Sequence, residues 1–360
     1  MRWVWSLCVR AVNRLFLKLI ENSIFIRSLL EVWYTYYLVD TEKDEKLLLV
    51  KKYIYTYVQH VEEIDLSQLE QRAFFGTSTS DNIIIHQKSV DPSRSPFMRE
   101  RMNVLFEAAS FEELKDLASQ LTTQEETFKV ECLNNIAFGA TAKIPHSMRR
   151  QLERELALSI PGEPEIDQPE NLFVLLTYDG RWYFGTSEKS VSVWRMHMEK
   201  PQNYSTALST RVARAIANIA VPETENVRVI DPCCGIGTVI IEALSMGINI
   251  VGRDMSPFVC IGSRKNIAHF GYETTITKGP IQDVTEHYDV AIIDLPYNVF
   301  TSASREEQHD IIHHAKRIAD RVVIVTIESV DEVITELGMK VLDRGVARKQ
   351  SFEREILVCE

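Results

Sequence analysis

Asp231-Pro-Cys-Cys-Gly-Ile-Gly-Thr238 lies between the apolar stretch Val227 to Ile230 and the apolar helical pattern Val239 to Met246. It therefore reads as a tight turn joining a β-strand to a helix. Gly235 and Gly237 let the backbone approach a ligand closely, and the helix start that follows offers N–H groups without intrahelical partners. From Val227 to the C-terminus strands and helices alternate, the pattern of a parallel α/β sheet.

A glycine-x-glycine turn alone fits an ordinary βα connection or a dinucleotide site equally well. The surrounding acids narrow the choice. Asp231 ends the strand ahead of the glycines, where a carboxylate can meet a ligand amino group directly or through water. Asp254 closes the next strand, Ile248 to Gly252, about twenty residues on, where an acid can hold ribose hydroxyls. Asp283, after a third short strand, is placed to accept from an adenine amino group. Cys233 lies in the turn as part of the pocket wall, and it and Cys234 read as small packing residues. The third glycine of the dinucleotide pattern is missing. An acid before the turn also repels a pyrophosphate, whereas S-adenosyl-L-methionine carries a sulfonium and an ammonium. Charge selects the methyl donor over NAD.

Asp294-Leu-Pro-Tyr297 follows the apolar strand Val290 to Ile293, which puts it at the carboxyl edge of the sheet beside the cofactor. The Asp294 carboxylate and the carbonyl of Leu295 can both accept from one exocyclic amine, aligning its lone pair for attack on a methyl group and helping to remove its proton. Pro296 fixes the turn, and Tyr297 offers a face for stacking a base, which would have to be flipped out of any duplex. The alternative is a plain strand-end turn with a core tyrosine. Placement of the two cysteines in the cofactor turn, rather than beside the acceptor, argues against a thiol nucleophile. His309 and His313 could share a helix face, but with His287 and His314 they form no metal-ligand set. No metal is expected.

The chain has 360 residues, room for two or more domains. Its net charge of −11 argues against coating nucleic acid through bulk electrostatics, yet leaves room for local basic faces. Three candidates are Arg94/Arg99/Arg101, Arg149/Arg150/Arg154 and Arg344/Arg348/Lys349, each also readable as solvated charge balanced by nearby acids. Six scattered cysteines without a disulfide framework suit a reducing cytoplasm. Residues 1–50 are rich in Trp, Leu, Ile and Tyr, but charges interrupt every run long enough to span a membrane. They read as an amphipathic extension or as sequence upstream of the true start near Val50.

After Lys51 the expected elements are a strand Tyr53 to Val58, a helix Leu66 to Phe74, and strands Asn82 to His86 and Val104 to Ala108. A helix from Phe111, capped by Ser110, follows. Then come a strand Thr127 to Cys132, a helix Ser147 to Ile160, and a hairpin turning on Asp179-Gly180. Trp194 to Tyr204 reads as a linker into a helix Arg211 to Ala220.

Arg154-Glu-Leu-Ala-Leu-Ser-Ile160 with Gly162 and the hairpin through Gly185, Pro201 to Arg214, Asp231 to Thr238 and Asp294 to Tyr297 carry a likeness. From about Lys51 onward the chain resembles the THUMP-domain RNA methyltransferases, in particular the tRNA guanosine-N2 methyltransferase group and its bacterial relatives. The resemblance implies a ferredoxin-like region at 51–125, a THUMP-like RNA-binding domain at 126–195, a linker and helix at 196–222, and a Rossmann-like methyltransferase domain at 223–360. It implies tRNA as partner, with donor-site roles for Asp231, Gly235, Gly237 and Asp254 and catalytic roles for Asp294, Pro296 and Tyr297. Leu295 departs from the pattern, standing where the family has proline. N6-adenine methylation of RNA or DNA, and RNA binding without turnover, stay open as alternatives.

Overall fold

The computed structural model describes residues 51–121, 126–133, 144–203, 207–296, 304–349 and 352–360. The extension 1–50 and Tyr297 lie outside the described residues. Strands β1 (Tyr53–Tyr57), β2 (Ile83–His86), β3 (Met98–Ala108), β4 (Phe128–Cys132), β5 (Asn171–Tyr178) and β6 (Arg181–Lys189) form a six-stranded sheet in the order β2-β1-β3-β6-β5-β4. It is antiparallel except where β4 joins β5. The sheet draws strands from both sides of residue 125, because β3 and β6 pair along most of their length. The β5–β6 turn has positive φ at both Asp179 (50°) and Gly180 (71°), the conformation that favours Asp-Gly in hairpins.

Helix α1 (Ile64–Phe75) follows β1, while α2 (Phe111–Ala118) and α3 (His146–Ser159) cover one face of this sheet. Ser110 caps α2 by accepting from Glu113 N–H at 3.2 Å. Leu114, Ala118 and Leu156 then pack on Phe128, Leu175 and Phe184. Strand β3 begins at Met98, well before the apolar stretch from Val104, and its buried positions Met98, Glu100 and Met102 alternate with Arg99 and Arg101.

A second sheet contains β7 (Arg228–Asp231), β8 (Asn249–Asp254), β9 (Ile276–Lys278), β10 (Tyr288–Asp294), β11 (Ala319–Thr326), β12 (Val341–Lys349) and β13 (Phe352–Cys359). Their order is β12-β13-β11-β10-β7-β8-β9, with β7 to β11 parallel and β13 antiparallel to both neighbours. This is a Rossmann-like α/β arrangement. The chain lays down β7, β8 and β9 in one direction and returns to place β10 on the other side of β7. Ligands of open α/β sheets bind outside the carboxyl ends of the strands at such a reversal.

The strands bury side chains on both faces. Val229, Val290, Ile292, Val323 and Val325 pack with Ala213, Ile216 and Ala217 of α4 (Thr210–Ala220) and with α5 (Thr238–Ser245). On the other face Ile230, Ile293 and Ile324 pack with α7 (Arg305–Ile318) and α8 (Asp331–Glu336), while α6 (Pro257–His269) follows β8. The first of these cores runs on into Leu66, Leu69 and Phe74 of α1 and Tyr55 and Tyr57 of β1.

A polar seam accompanies that shared core. Arg72 of α1 makes a bidentate pair with Asp343 of β12 at 2.8 and 2.9 Å, and Asp65 accepts from Val346 N–H at 2.9 Å. Arg214 of α4 donates to Glu242 of α5 and to the carbonyls of Ser93 and Arg94. Glu242 also holds His197 Nδ1 at 2.8 Å. Glu70 meets Asn218 and Ser95. No helix among the described residues is long and apolar enough to cross a membrane.

Candidate active site

The octapeptide turn leaves β7 at Asp231 and enters α5 at Thr238. Its shape is set by backbone bonds: Cys234 N–H donates to Arg253 O and Gly237 N–H to Cys234 O, both at 2.9 Å. Gly235 and Gly237 have φ of 51° and 81°, a region in which other residues are strained. A Cβ on Gly237 would also stand 2.5 Å from Ser263 Oγ. Asp254, ending β8, accepts from Gly235 N–H at 3.0 Å and from Ser256 N–H at 2.8 Å. Each carboxylate oxygen accepts more than one hydrogen bond, so Asp254 shapes the turn and keeps capacity for a ligand. Asn266 ties the turn to the segment before α4, donating to Ile236 O and Gln202 O, both at 3.0 Å.

Asp231 is 4% exposed and accepts from Cys233 N–H at 3.2 Å. Burial pushes its carboxyl well above the usual range, and the charges of Asp294 and Asp254 push it further. Asp294 ends β10, the strand paired with β7 across the reversal. Burial raises it to about 7, and the charge of Arg354 draws it back down. Its Oδ1 is buried and has no hydrogen-bond partner among the described residues, although part of the residue reaches solvent. Three carboxyls thus share the crevice, and two are held in conditions that disfavour their charge.

Leu295 is 2% exposed and its N–H donates to Val325 O at 3.0 Å, extending the ladder by one residue. A proline there could not donate that bond. The rigidity a ring would give comes instead from burial and the ladder. Pro296 follows, exposed. The Cys233 thiol is pushed far up by burial and by Asp231, Asp254 and Asp294, and Cys234 likewise by burial first. Neither has thiolate character, so the chemistry of the crevice is that of carboxylates.

Asp283 sits at the end of a short helical turn, 281–283, with its side chain largely exposed and 3.5 Å from Arg253 Nη2. It flanks the crevice beyond β9 and is not drawn into the cluster of Asp231, Asp254 and Asp294. Two further residues belong to the surroundings and were missed in the sequence. Met255, directly after Asp254, is 72% exposed, and Phe258 of α6 is 83% exposed. An apolar residue following the strand-end acid was the available signal. Arg354 lies far along the chain and gave none.

The basic clusters divide by partner. Arg94 is half-buried in the seam, donating to the carbonyls of Val221 and Pro222. Arg101 pairs with Glu188, Arg344 with Asp331 and Glu355, and Arg348 with Glu353. In α3, Arg150 pairs with Glu153. Among the described residues no group of three or more His, Cys, Asp or Glu is arranged to hold a metal ion.

Residues 198–336 match the RMKL-like methyltransferase domain. Over 116 residues the chain is 28% identical to the tRNA (guanine(10)-N2)-dimethyltransferase of Methanothermobacter thermautotrophicus, covering 31% of this chain and 34% of that protein. The chain thus spans about a third of the length of that relative. TrmN from Thermus thermophilus is similar in structure, with a TM-score of 0.45 and 14% identity over 86% of this chain and 99% of that one. The magnesium protoporphyrin IX methyltransferase of Synechocystis, solved with S-adenosylmethionine bound, has a TM-score of 0.36 and 15% identity over 47% of this chain and 91% of that one.

Proposed function

We propose that this chain is an S-adenosylmethionine-dependent methyltransferase that modifies the exocyclic N2 amine of a guanosine in tRNA. The observation that carries the reading is Asp294: a carboxylate oxygen buried at the strand-order reversal, without a hydrogen-bond partner among the described residues, one residue before the Leu295 carbonyl and one strand over from Asp231. An unpaired buried acceptor is costly unless a ligand completes it. The match of residues 198–336 to a methyltransferase domain supports the same chemistry.

The residues suit the methyl donor. A crevice with three carboxyls, two held above their usual range by burial, gains from a cationic ligand that restores their ionised form. Asp231 would hold the ammonium end, the turn through Gly235 and Gly237 the backbone-close portion, and Asp254 the ribose hydroxyls. Met255 and Phe258 would give the adenine an apolar cover, with Asp283 at the rim for its amino group. When bound, the donor supplies a methyl group on a cationic sulfur. Asp294 and the Leu295 carbonyl would accept from the target amine and hold its lone pair toward that methyl. As the nitrogen bonds to the methyl carbon, the carbon–sulfur bond would break with its electron pair left on sulfur, and Asp294 would take the proton the nitrogen releases. Proton transfer to a positioned group contributes about a hundredfold to ten-thousandfold. Pro296 would fix the turn, and Tyr297 would stack on the base.

The region 126–195 would serve as the RNA-binding, THUMP-like part beside a ferredoxin-like region at 51–125, with Arg149, Arg150 and Arg154 of α3 among its phosphate contacts, in the cytoplasm where tRNA is found. Affinity for tRNA should then fall steeply with salt despite the acidic net charge. Nucleoside mass spectrometry of tRNA from cells lacking the protein tests the whole. Loss of an N2-methylguanosine is expected; loss of N6-methyladenosine with N2-methylguanosine intact would overturn the choice of base. Failure of the purified protein to bind S-adenosylmethionine in a calorimeter would overturn the chemistry.

A further inference from the structure

Arg354 stands on the acceptor side of the crevice, brought there by two ladders. Asp294 of β10 lies opposite Val325 of β11, and Val325 lies opposite Ile356 of β13. Directly opposed residues point to the same face, and Val325 and Ile356 pack in one core. Residues two apart on a strand share a face. Arg354 therefore rises on the face of Asp294, one step beyond Ile356. Because β13 runs antiparallel to β11, that step leads toward the carboxyl ends of β10 and β11, the edge where Asp294 and Leu295 sit. Its partner on β12 is Ala347, another member of that core.

Two strand spacings sideways and a two-residue step along the strand put the Arg354 backbone about 12 Å from that of Asp294. A long arginine side chain closes much of that gap, and its charge acts on the Asp294 carboxyl in the folded protein. Arg354 is half-buried, so its side chain is not fully immersed in water. The acceptor side thus offers an anion that accepts and, several ångströms along, a planar cation that only donates.

We propose that Arg354 is a specificity-determining residue that donates to the 6-oxygen of the guanine whose N2 amine rests on Asp294. This rests on the reading of the site given above. Guanine carries an amine at one end of its pairing edge and a carbonyl at the other, so Asp294 and Arg354 match its two exocyclic groups in order. A purine with an amine in place of the 6-oxygen would set donor against donor. A purine with only hydrogen there would forgo the contact to the guanidinium. Arginine-to-guanine contacts of this kind discriminate by about tenfold to a hundredfold.

The test uses the full chain and two tRNA transcripts, one with guanosine at the methylated position and one with 2-aminopurine, which keeps the N2 amine and lacks the 6-oxygen. The wild type is expected to prefer guanosine by about tenfold to a hundredfold in kcat/KM. In Arg354→Ala that preference should collapse, with S-adenosylmethionine affinity by calorimetry unchanged within about twofold. A variant that loses rate equally on both transcripts, keeping the preference, overturns the proposal and makes Arg354 a phosphate anchor or packing residue. If Arg354→Ala does not fold, Arg354→Lys replaces it: a weakened preference supports the proposal and an undiminished one overturns it. A wild type that binds S-adenosylmethionine yet methylates neither transcript brings down the guanosine-N2 reading itself. That outcome is distinct because it needs no substitution.

Discussion

The molecule treats the enclosed acids of two regions differently. In the seam beside α4, Glu242 is fully enclosed but meets Arg214 on one oxygen and His197 on the other, both at 2.8 Å. Glu70, enclosed in the same way and raised by burial to about 7, meets Asn218 and Ser95, with Arg94 and Arg214 nearby. At the end of the parallel strands Asp231 receives one backbone N–H, and an oxygen of Asp294 receives no hydrogen bond among the described residues. Residue chemistry is alike; satisfaction is not. A fold that completes its buried acids at the seam and leaves them incomplete at the strand ends has reserved the second set for something that arrives.

Removing Asp294 should break this contrast most strongly. Asp294→Ala is expected to lower kcat about a thousandfold or more, about 4 kcal/mol in transition-state stabilisation, while S-adenosylmethionine binding measured by calorimetry stays near wild type. A loss confined to KM would place Asp294 in binding rather than catalysis. At the seam the expected loss is in stability. Glu242→Ala leaves Arg214 buried without its partner, at a cost of about 3–5 kcal/mol by urea denaturation. An unchanged midpoint would mean that the seam is not what holds α4 and α5 to residues 93–94.

Asp231→Asn keeps the shape of the crevice and removes one charge. Affinity for S-adenosylmethionine should fall about tenfold to a hundredfold, with a much smaller change for an analogue lacking the ammonium group. The pH response of Asp294 follows from its raised value. The carboxyl must be ionised to take a proton, so the methylation rate should fall as pH drops below about 7. Stability of the ligand-free protein should move oppositely. A carboxyl raised to about 7 in the fold ionises near 4 when unfolded, so it contributes no penalty at low pH and an increasing one as pH rises to 7. Asp294→Asn should therefore stabilise the free protein at pH 8, by up to about 4 kcal/mol, and have no such effect at pH 4. A stabilisation equal at both pH values would show that the gain is not electrostatic.

What could be read along the chain was local. The turn at 231–238 announces itself because glycines, a strand-end acid and a following helix lie within one short window, and Asp254 and Asp294 end apolar strands. The structure brings Asp231, Asp254 and Asp294 to one crevice as their positions at strand ends require. Asp283 was placed by strand count alone, and its side chain turns to Arg253 at the rim. Arg354 escaped because its relation to Asp294 exists only through the β11–β13 ladder, whose antiparallel direction no nearby residue signals. The start of β3 escaped for another reason: Arg99, Glu100 and Arg101 look like a loop until Arg101 is seen paired with Glu188 across the sheet. The single six-stranded sheet was hidden with it, since β3–β6 pairing joins residues far apart in sequence.

Leu295 shows how a departure from a pattern can be absorbed. Expected as a looser substitute for proline, it is an apolar core residue whose N–H extends the ladder to Val325.

The contact of α1 with β12 carries a consequence for biosynthesis. Arg72 and Asp343 are 271 residues apart, and Leu69 packs in the core that also holds Ala347 and Val358. A ribosome delivers the helix long before the strand that shelters it. Until β12 emerges, the part of α1 around Leu69 that meets Gly345 lacks its cover, and closing so long a loop is slow. Loss of β12 is therefore a lesion felt also at a helix made far earlier, which keeps only its packing on β1 and α4.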